Sequence, residues 1–345
     1  MHDRVLEKYL SRYAEPEVHA IFGDNALFKE NGGMTYDYCL TIPAYQETFE
    51  QLTRVWRDVD PQISCLIILV VNAPSADEPW AHQLVDSLRH SGEIEAKDGN
   101  KTLIRSVGRA DKTGHLQPNI DLLIVDRFSG DLTLPVKSGV GLARKIAADI
   151  AAKLIQQNII SHPWIFSTDA DAILPMDYFD ITPSSEDAAL IYPFNHVAPD
   201  GLKQASDIYE LTILYYTAGL GYAGSPYAFP TIGSLITCHV HHYAAVRGFP
   251  IRNTGEDFYL LNKLRKVGRV RAIDHSPVVL AGRESDRVPI GTGRGITKIL
   301  TLESPEQDMR VEHPDCFTDL KHFLAMLDWA ATTRNSPAQY HDRLL

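Results

Sequence analysis

The chain has 345 residues, of which 44% are hydrophobic and 22% are charged. This balance is typical of a globular protein that buries a sizeable core. With 33 basic and 44 acidic residues, the formal net charge is −11. That charge argues against nonspecific binding to nucleic acid or to an anionic membrane, although it leaves room for a small basic pocket.

The four cysteines are far apart in sequence and form no Cys-x-x-Cys pair. We therefore expect buried, reduced thiols in a cytoplasmic protein, and neither disulfides nor a thiolate zinc site. The first ten residues, MHDRVLEKYL, lack the apolar core of a secretory signal. We also expect no integral membrane segment, because Gly and Pro residues interrupt the most apolar region, residues 211–240.

Apolar runs typical of strands alternate with helical stretches along the first half of the chain. Residues 63–71 are almost entirely apolar and rich in branched side chains, as in a strand covered on both faces. Such alternation predicts a parallel sheet with helices on its faces. The predicted strands are 36–44, 63–71, 122–125, 164–168 and 270–274, and the main predicted helices are 49–58, 139–159, 256–267 and about 318–331.

Ligands of an open sheet of this kind bind beyond the carboxyl ends of the strands. The polar residues that follow the first four predicted strands should therefore gather along one edge. These residues are 43–47, 72–74, 126–127 and 169–171.

Asp169 and Asp171 directly follow one of these strands. An extended backbone would place both carboxylates on the same side. Two hard oxygen ligands suit Mg²⁺ or Mn²⁺ and leave coordination positions for substrate phosphates. The alternative is that the aspartates only begin a turn, but the apolar segments on both sides favour a metal site.

Four segments in this order resemble the motifs of GT-A glycosyltransferases, and of family 2 in particular. They are TIPAYQE at 41–47, KSGVGLARK at 137–145, DAD at 169–171 and GED at 255–257. The resemblance covers roughly residues 36–275. It implies a GT-A fold: an α/β architecture with a Rossmann-like, mostly parallel central sheet, flanking helices and an elaborated C-terminal part.

The resemblance also implies a donor site. The end of the first strand would contact the nucleotide, and the helix near Gly141 would run under the nucleotide-sugar. Lys137 and Arg144 would neutralise phosphates, unless Arg144 belongs to a solvated helix face. Asn72 stands where the family usually has an aspartate, so it offers a hydrogen bond without a charge. The predicted donor-binding residues are Pro43, Ala44, Tyr45, Glu47, Asn72, Lys137, Gly141, Arg144, Asp169, Arg287 and Arg294.

Glu256 and Asp257 begin a predicted helix. A carboxylate within hydrogen-bond reach of an acceptor hydroxyl can take its proton, although acidic residues at a helix start are also ordinary capping chemistry. By the resemblance, Asp257 is the catalytic base and Glu256 orients the acceptor. A dedicated base implies inversion at the anomeric carbon, although retaining enzymes share this fold.

Two further assignments concern the C-terminal half. By the resemblance, His275 completes the metal shell of Asp169 and Asp171; otherwise it is an ordinary surface or core histidine. Residues 283–295 are rich in Gly and Arg, which fits a flexible phosphate-binding loop and equally a solvated loop with incidental charge. The aromatic residues between 209 and 229 fall where these enzymes bind the acceptor, although at least half should be packing residues.

The sequence thus predicts a metal-dependent glycosyltransferase that moves a sugar from a nucleotide-diphosphate-sugar to a saccharide or other hydroxyl acceptor, which can itself be phosphorylated. One alternative is a nucleotidyltransferase acting on a sugar phosphate. Another is a non-catalytic protein of the same fold that binds nucleotides or carbohydrates. The predicted regions are an N-terminal helical extension (1–35), a nucleotide-sugar-binding half (36–175), an acceptor-binding and catalytic half (176–300) and a C-terminal helical segment (301–345).

Overall fold

The computed structural model describes residues 2–19, 21, 27–28, 34–105, 119–135, 137–285 and 291–333. Its strands are β1 (Tyr38–Ala44), β2 (Ser64–Asn72), β3 (Glu93–Asp98), β4 (Lys101–Arg105), β5 (Asn119–Arg127), β6 (Trp164–Ser167), β7 (Asp187–Ile191), β8 (Phe194–Val197), β9 (Ile236–His239), β10 (Arg269–Ala272) and β11 (Val278–Ala281). Its helices are α1 (His2–Arg12), α2 (Phe49–Arg54), α3 (Pro79–Arg89), α4 (Gly139–Gln156), α5 (Asp200–Tyr222), α6 (Val240–Ala245), α7 (Glu256–Leu264), α8 (Thr292–Leu300), α9 (Pro305–Asp308) and α10 (Pro314–Thr333).

Within the described residues, nine strands form one central sheet in the order β10-β7-β9-β6-β1-β2-β5-β4-β3. Strands β6, β1, β2 and β5 are parallel neighbours at its centre. Helix α4 packs on β1, β2 and β6, and α3 packs on β2. These observations confirm the predicted α/β architecture with a mostly parallel central sheet and flanking helices.

The parallel strands end side by side. The register pairs Ala44 with Val71 and Asn72 with Arg127, and β6 ends one residue before Thr168. The polar segments that follow these strands therefore begin along one edge of the sheet, as predicted.

Two parts of the chain differ from the prediction. An unpredicted antiparallel hairpin, β3–β4, extends the sheet beyond β5, and its Asp98-Gly99 turn is a common hairpin signal. The predicted loop over 283–295 is wrong at its end, because α8 begins at Thr292. Ile296 and Ile299 of this helix are buried together against α5, so apolar burial outweighs the low helix propensity of the glycines.

A buried carboxylate ties the first helix to the domain. Asp149 of α4 is fully buried. It accepts hydrogen bonds from the hydroxyl of Tyr9 in α1, from the hydroxyl of Tyr243 in α6 at 2.8 Å, and from the ammonium of Lys145 at 2.6 Å. Because a buried charge is tolerated only when it is paired, this cluster fixes α1 against α4 and α6.

No helix in the described ranges is long and apolar enough to cross a membrane. The four cysteines, all of them described, are unpaired, and Cys39, Cys65 and Cys238 are buried.

Gly141 allows a close backbone contact at the start of α4. Its N–H donates to the carbonyl of Arg252 at 2.9 Å. An added Cβ would lie 2.4 Å from that carbonyl oxygen and 2.7 Å from the carbonyl oxygen of Pro250. A side chain at position 141 would therefore push away the segment that leads into α7.

We predict that Gly141→Ala destabilises the fold by about 1–3 kcal/mol, because the added methyl group overpacks the contact. Gly201→Ala is the matched control, since Gly201 also lies in the first turn of a helix but faces open space. The control should be neutral or stabilising by up to about 1 kcal/mol. Urea unfolding measures both changes, and equal midpoints for the two variants would contradict the prediction.

Candidate active site

Arg144 is the central side chain at the carboxyl edge of the sheet. It projects from α4 and is only 3% exposed. Its Nε donates to Glu256 Oε1 at 3.0 Å, its Nη1 donates to Ser167 Oγ at 3.1 Å, and its Nη2 donates to the carboxylate of Asp169. One guanidinium therefore joins the Asp169–Asp171 segment to the acidic start of α7.

Two small residues complete this arrangement. An added Cβ at Gly233 would lie 2.3 Å from Arg144 Nη2, so a glycine is needed to admit the guanidinium. The hydroxyl of Ser234 donates to Asp169 Oδ2, while Arg144 donates to Oδ1. Both oxygens of Asp169 are thus engaged by the protein.

Asp171 is bound by a second arginine. Arg283 follows β11 and donates to Asp171 Oδ2 from Nε at 3.0 Å and from Nη2 at 2.6 Å. Its Nη2 also lies 3.4 Å from Oε1 of Glu47, a buried residue just beyond β1. Arg283, like Arg144, therefore lies between two carboxylates.

The start of α7 separates two adjacent carboxylates. Gly255 precedes the helix with φ +71°, a left-handed conformation that favours glycine. Glu256 is buried and faces Arg144, whereas Asp257 is half-buried and accepts a hydrogen bond from the N–H of Phe258 at 2.7 Å. The two carboxylates therefore meet different surroundings.

The pKa of Asp257 is raised toward neutral pH. Burial and then the negative charge of Glu256 raise the pKa of Asp257 to about 6, although Arg144 partly offsets them. A carboxylate with such a pKa is suited to accept a proton from a substrate.

Four of the remaining predicted donor residues, Pro43, Ala44, Tyr45 and Asn72, lie at or directly after the ends of β1 and β2. Pro43 and Ala44 are buried at the end of β1, and Asn72 is the last residue of β2. The ring of Tyr45 contacts Trp80 edge-on, with 5.6 Å between centroids. Lys137, Arg294 and Arg287 are the basic residues of the prediction beyond Arg144. The first two are exposed, in the turn before α4 and in the first turn of α8, while Arg287 lies outside the described residues.

The orientation of Arg144 differs from both of its predicted alternatives. Its guanidinium faces protein carboxylates in the interior, so the solvated-face interpretation is wrong. Its neighbour Lys145 is also buried and pairs with Asp149. Helix α4 is buried over most of its length, and these two basic side chains are buried with it.

The predicted metal ligands do not fit a divalent ion as arranged. His275 Nε2 lies 3.2 Å from the carbonyl oxygen of Asp180, and its ring contacts Tyr192. Asp169, Asp171 and His275 do not form a ligand group, and no other three His, Cys, Asp or Glu side chains of the described residues do so. The two aspartates are instead bound by arginines.

The two polar residues at the end of β5 have a structural role. Asp126 Oδ1 accepts hydrogen bonds from the N–H groups of Phe128 and Ser129, both at 3.0 Å. Arg127 pairs with the buried Glu17 at 2.6 Å. This strand end therefore organises a turn and fixes the N-terminal segment.

Several predicted acceptor aromatics serve helix packing. Tyr215 and Tyr216 of α5 contact the ring of Phe317 in α10. The ring of Tyr209 lies close to Gly295 of α8, where an added Cβ would be 2.3 Å from it. These contacts agree with the expectation that many of the aromatic residues pack between helices.

Sequence reasoning assigned no site role to Ser167, Gly233 or Ser234, and it placed Arg283 only within the Gly- and Arg-rich segment 283–295. Nothing in that segment distinguishes Arg283 from its other arginines. Only the fold selects the arginine that meets Asp171.

Comparison with known proteins gives low similarities. No protein family matches the chain, and no curated protein does. Among solved structures, a mannosyltransferase from Pyrobaculum calidifontis in complex with GDP-Man and Mn²⁺ is 14% identical, with 98% of this chain and 86% of that chain covered and a TM-score of 0.44. S. aureus TarS 1–349 in complex with UDP-GlcNAc is 12% identical, with 83% and 72% covered and a TM-score of 0.41.

A third similar structure is the glucosyl-3-phosphoglycerate synthase of Mycobacterium tuberculosis in complex with Mn²⁺, UDP and glucosyl-3-phosphoglycerate. It is 13% identical, with 71% of this chain and 70% of that chain covered and a TM-score of 0.35. All three structures hold a nucleotide or a nucleotide-sugar, and one of the proteins is named as a mannosyltransferase. At these similarities, the activity of this chain must be inferred from its own residues.

We predict that Arg144→Met lowers the free energy of unfolding by about 3–5 kcal/mol, because it leaves the buried Glu256 charge without its partner. The double variant Arg144→Met/Glu256→Gln should lose less, since it removes both charges. Urea unfolding of the two variants tests this coupling. A single variant as stable as the unaltered chain would contradict the central role of Arg144.

We predict that Glu256→Gln lowers the pKa of Asp257 below about 6, because it removes the nearest negative charge. Glu303→Gln, at an exposed position, is the control and should leave this pKa unchanged. Titration of the Asp257 carboxyl carbon by NMR measures the shift. An equal or higher pKa in Glu256→Gln would show that Glu256 does not act on Asp257.

Proposed function

We propose that the chain is a glycosyltransferase that moves a sugar from a nucleotide-diphosphate-sugar to a hydroxyl acceptor, with inversion and with Asp257 as the base. The observation that carries this proposal is the position of Asp257. It is a half-buried carboxylate with a pKa of about 6, next to the Glu256–Arg144–Asp169 connection at the carboxyl edge of a mostly parallel sheet. The order of the sequence motifs supplies the donor class.

The proposed step has a simple chemical balance. The acceptor oxygen forms a bond to the anomeric carbon, and the bond from that carbon to the diphosphate oxygen breaks. Asp257 accepts the hydroxyl proton, which makes the acceptor oxygen a better nucleophile. The nucleoside diphosphate leaves with the electron pair, and attack from the opposite side inverts the anomeric configuration.

The fixed charges around Asp257 support its role as base. Glu256 pairs with Arg144 at 3.0 Å, so its carboxylate serves to position the start of α7. Within the described residues, the one hydrogen bond of Asp257 is accepted by Oδ1 from the N–H of Phe258. Its other oxygen is the one that would meet the acceptor hydroxyl.

We predict that Asp257→Asn lowers kcat by about 10²–10⁴-fold, because an amide cannot accept the proton. Binding of the donor nucleotide, measured by calorimetry, should stay within a few-fold. Asp200→Asn is the matched control, since Asp200 is an exposed acidic residue in the first turn of α5, and its activity should be unchanged.

The pH dependence gives a second measurement on the same residue. Because the base must be deprotonated, kcat/KM should rise with pH and reach half of its plateau near pH 6, in line with the raised pKa of Asp257. Full activity of Asp257→Asn, or a rate that falls as pH rises through 6, would reject Asp257 as the base. The assay combines a panel of nucleotide-sugars with mixed saccharide acceptors.

The two alternatives give different products. A nucleotidyltransferase would release pyrophosphate from a nucleoside triphosphate and a sugar phosphate. A binding protein without catalysis would bind a nucleotide-sugar and leave it intact, with or without Mn²⁺. Consumption of a nucleotide-sugar with release of the nucleoside diphosphate is the result that favours glycosyl transfer.

A further inference from the structure

Arg283 lies where the sequence predicts a divalent cation. Its guanidinium is bound to Asp171, the second acid of the Asp-x-Asp pair, through contacts of 3.0 and 2.6 Å. It also bridges to Glu47 at 3.4 Å. Asp169 is held separately by Arg144 and Ser234. The carboxylates that would bind a metal are therefore already paired with a permanent cation.

The geometry of Arg283 also leaves donors for a ligand. Its contacts with the described residues use Nε and Nη2, and none of them uses Nη1. The side chain is 35% exposed, compared with 3% for Arg144. A planar guanidinium whose one edge is fixed by carboxylates and whose other edge is accessible suits a phosphate oxygen.

We propose that Arg283 takes the place of a divalent metal at this site, so that the chain binds the diphosphate of its donor without a metal ion. This proposal rests on the proposed function, because it assumes a nucleotide-diphosphate donor. Asp171 and Glu47 then act as positioning residues, since they hold the guanidinium toward the diphosphate.

The charge balance defines the competing case. Glu47, Asp169, Asp171 and Glu256 are four carboxylates paired with the two positive charges of Arg144 and Arg283, and Asp257 is a fifth carboxylate that acts on Arg144. A site with this net negative charge attracts divalent cations. In the competing case, a metal ion displaces Arg283 from Asp171 when the donor binds. The two cases predict opposite effects of removing Arg283.

Calorimetric titration distinguishes the two cases. The full chain is titrated with UDP, GDP, ADP, CDP and dTDP, once in the presence of EDTA and once in the presence of MnCl₂. We expect the Kd of the preferred diphosphate to agree within about two-fold between the two conditions. Arg283→Ala should weaken binding by about ten-fold or more in both, because truncation removes a charge-assisted contact. Arg283→Lys should recover part of the lost affinity, since lysine keeps the positive charge but lacks the planar, bidentate donor edge of a guanidinium.

The control is Arg57→Ala, which removes an exposed arginine paired with Asp58 and should not change the Kd. Thermal melting confirms that each variant is folded. The proposal would be overturned if Mn²⁺ lowered the Kd of the unaltered chain by about ten-fold or more. It would also be overturned if Arg283→Ala bound the diphosphate as tightly as the unaltered chain once Mn²⁺ is present. Either result would leave the glycosyltransferase function standing.

Failure of the proposed function gives a different result. If no nucleoside diphosphate binds to the folded chain in either condition, a nucleotide-diphosphate donor is excluded and the role of Arg283 falls with it. Metal-independent binding that Arg283→Ala leaves unchanged would retain the donor class and reject Arg283 alone.

Discussion

The geometry of the candidate site depends on one buried guanidinium. Burial disfavours the charged form of Arg144, but the surrounding carboxylates of Asp169, Glu256 and Asp257 outweigh this effect and raise its pKa. A charged group this deep in the protein is stable only with partners in good geometry. The acidic segments 169–171 and 255–257 are far apart in sequence. If either segment moved, Arg144 would lose one of its carboxylate partners.

This arrangement gives two neighbouring carboxylates separate tasks. Glu256 is bound to Arg144 and holds the start of α7 in place. Asp257, one residue further, has a pKa raised to about 6. When adjacent acids meet different environments, one can serve a structural contact while the other is suited to exchange protons. Gly255 makes this separation possible, because its left-handed backbone turns the chain sharply into the helix.

The sequence predicts the frame of the fold more fully than the site. Apolar runs locate the central strands and α4, because burial on a parallel sheet leaves a strong hydrophobic pattern. The sheet edge then follows from topology. Hairpin β3–β4 escapes prediction because its first strand is mostly polar and exposed. Helix α8 escapes because Gly residues conceal its two buried isoleucines.

Within the site, the sequence predicts which acids lie near the sheet edge but not which cations pair with them. In the sequence, Arg144 could equally be a surface residue of a helix. Only the packing of α4 against β6 and the ion pair with Glu256 place it in the interior. The same limit applies to Arg283. Only its contact with Asp171 in the folded protein distinguishes it from the other arginines of its segment. His275 shows the opposite error, since a plausible ligand by order along the chain lies against Tyr192 and Asp180.

The Asp149 cluster has a practical consequence for anyone who trims this protein. Tyr9 supplies one of the donors that satisfy the buried carboxylate, and Glu15 supplies another through its N–H at 2.9 Å. Removing the first helix would leave Asp149 and Lys145 beneath a newly opened surface. The amino-terminal segment therefore behaves as an internal part of the domain, and affinity tags or fusion partners belong ahead of α1 and never in its place.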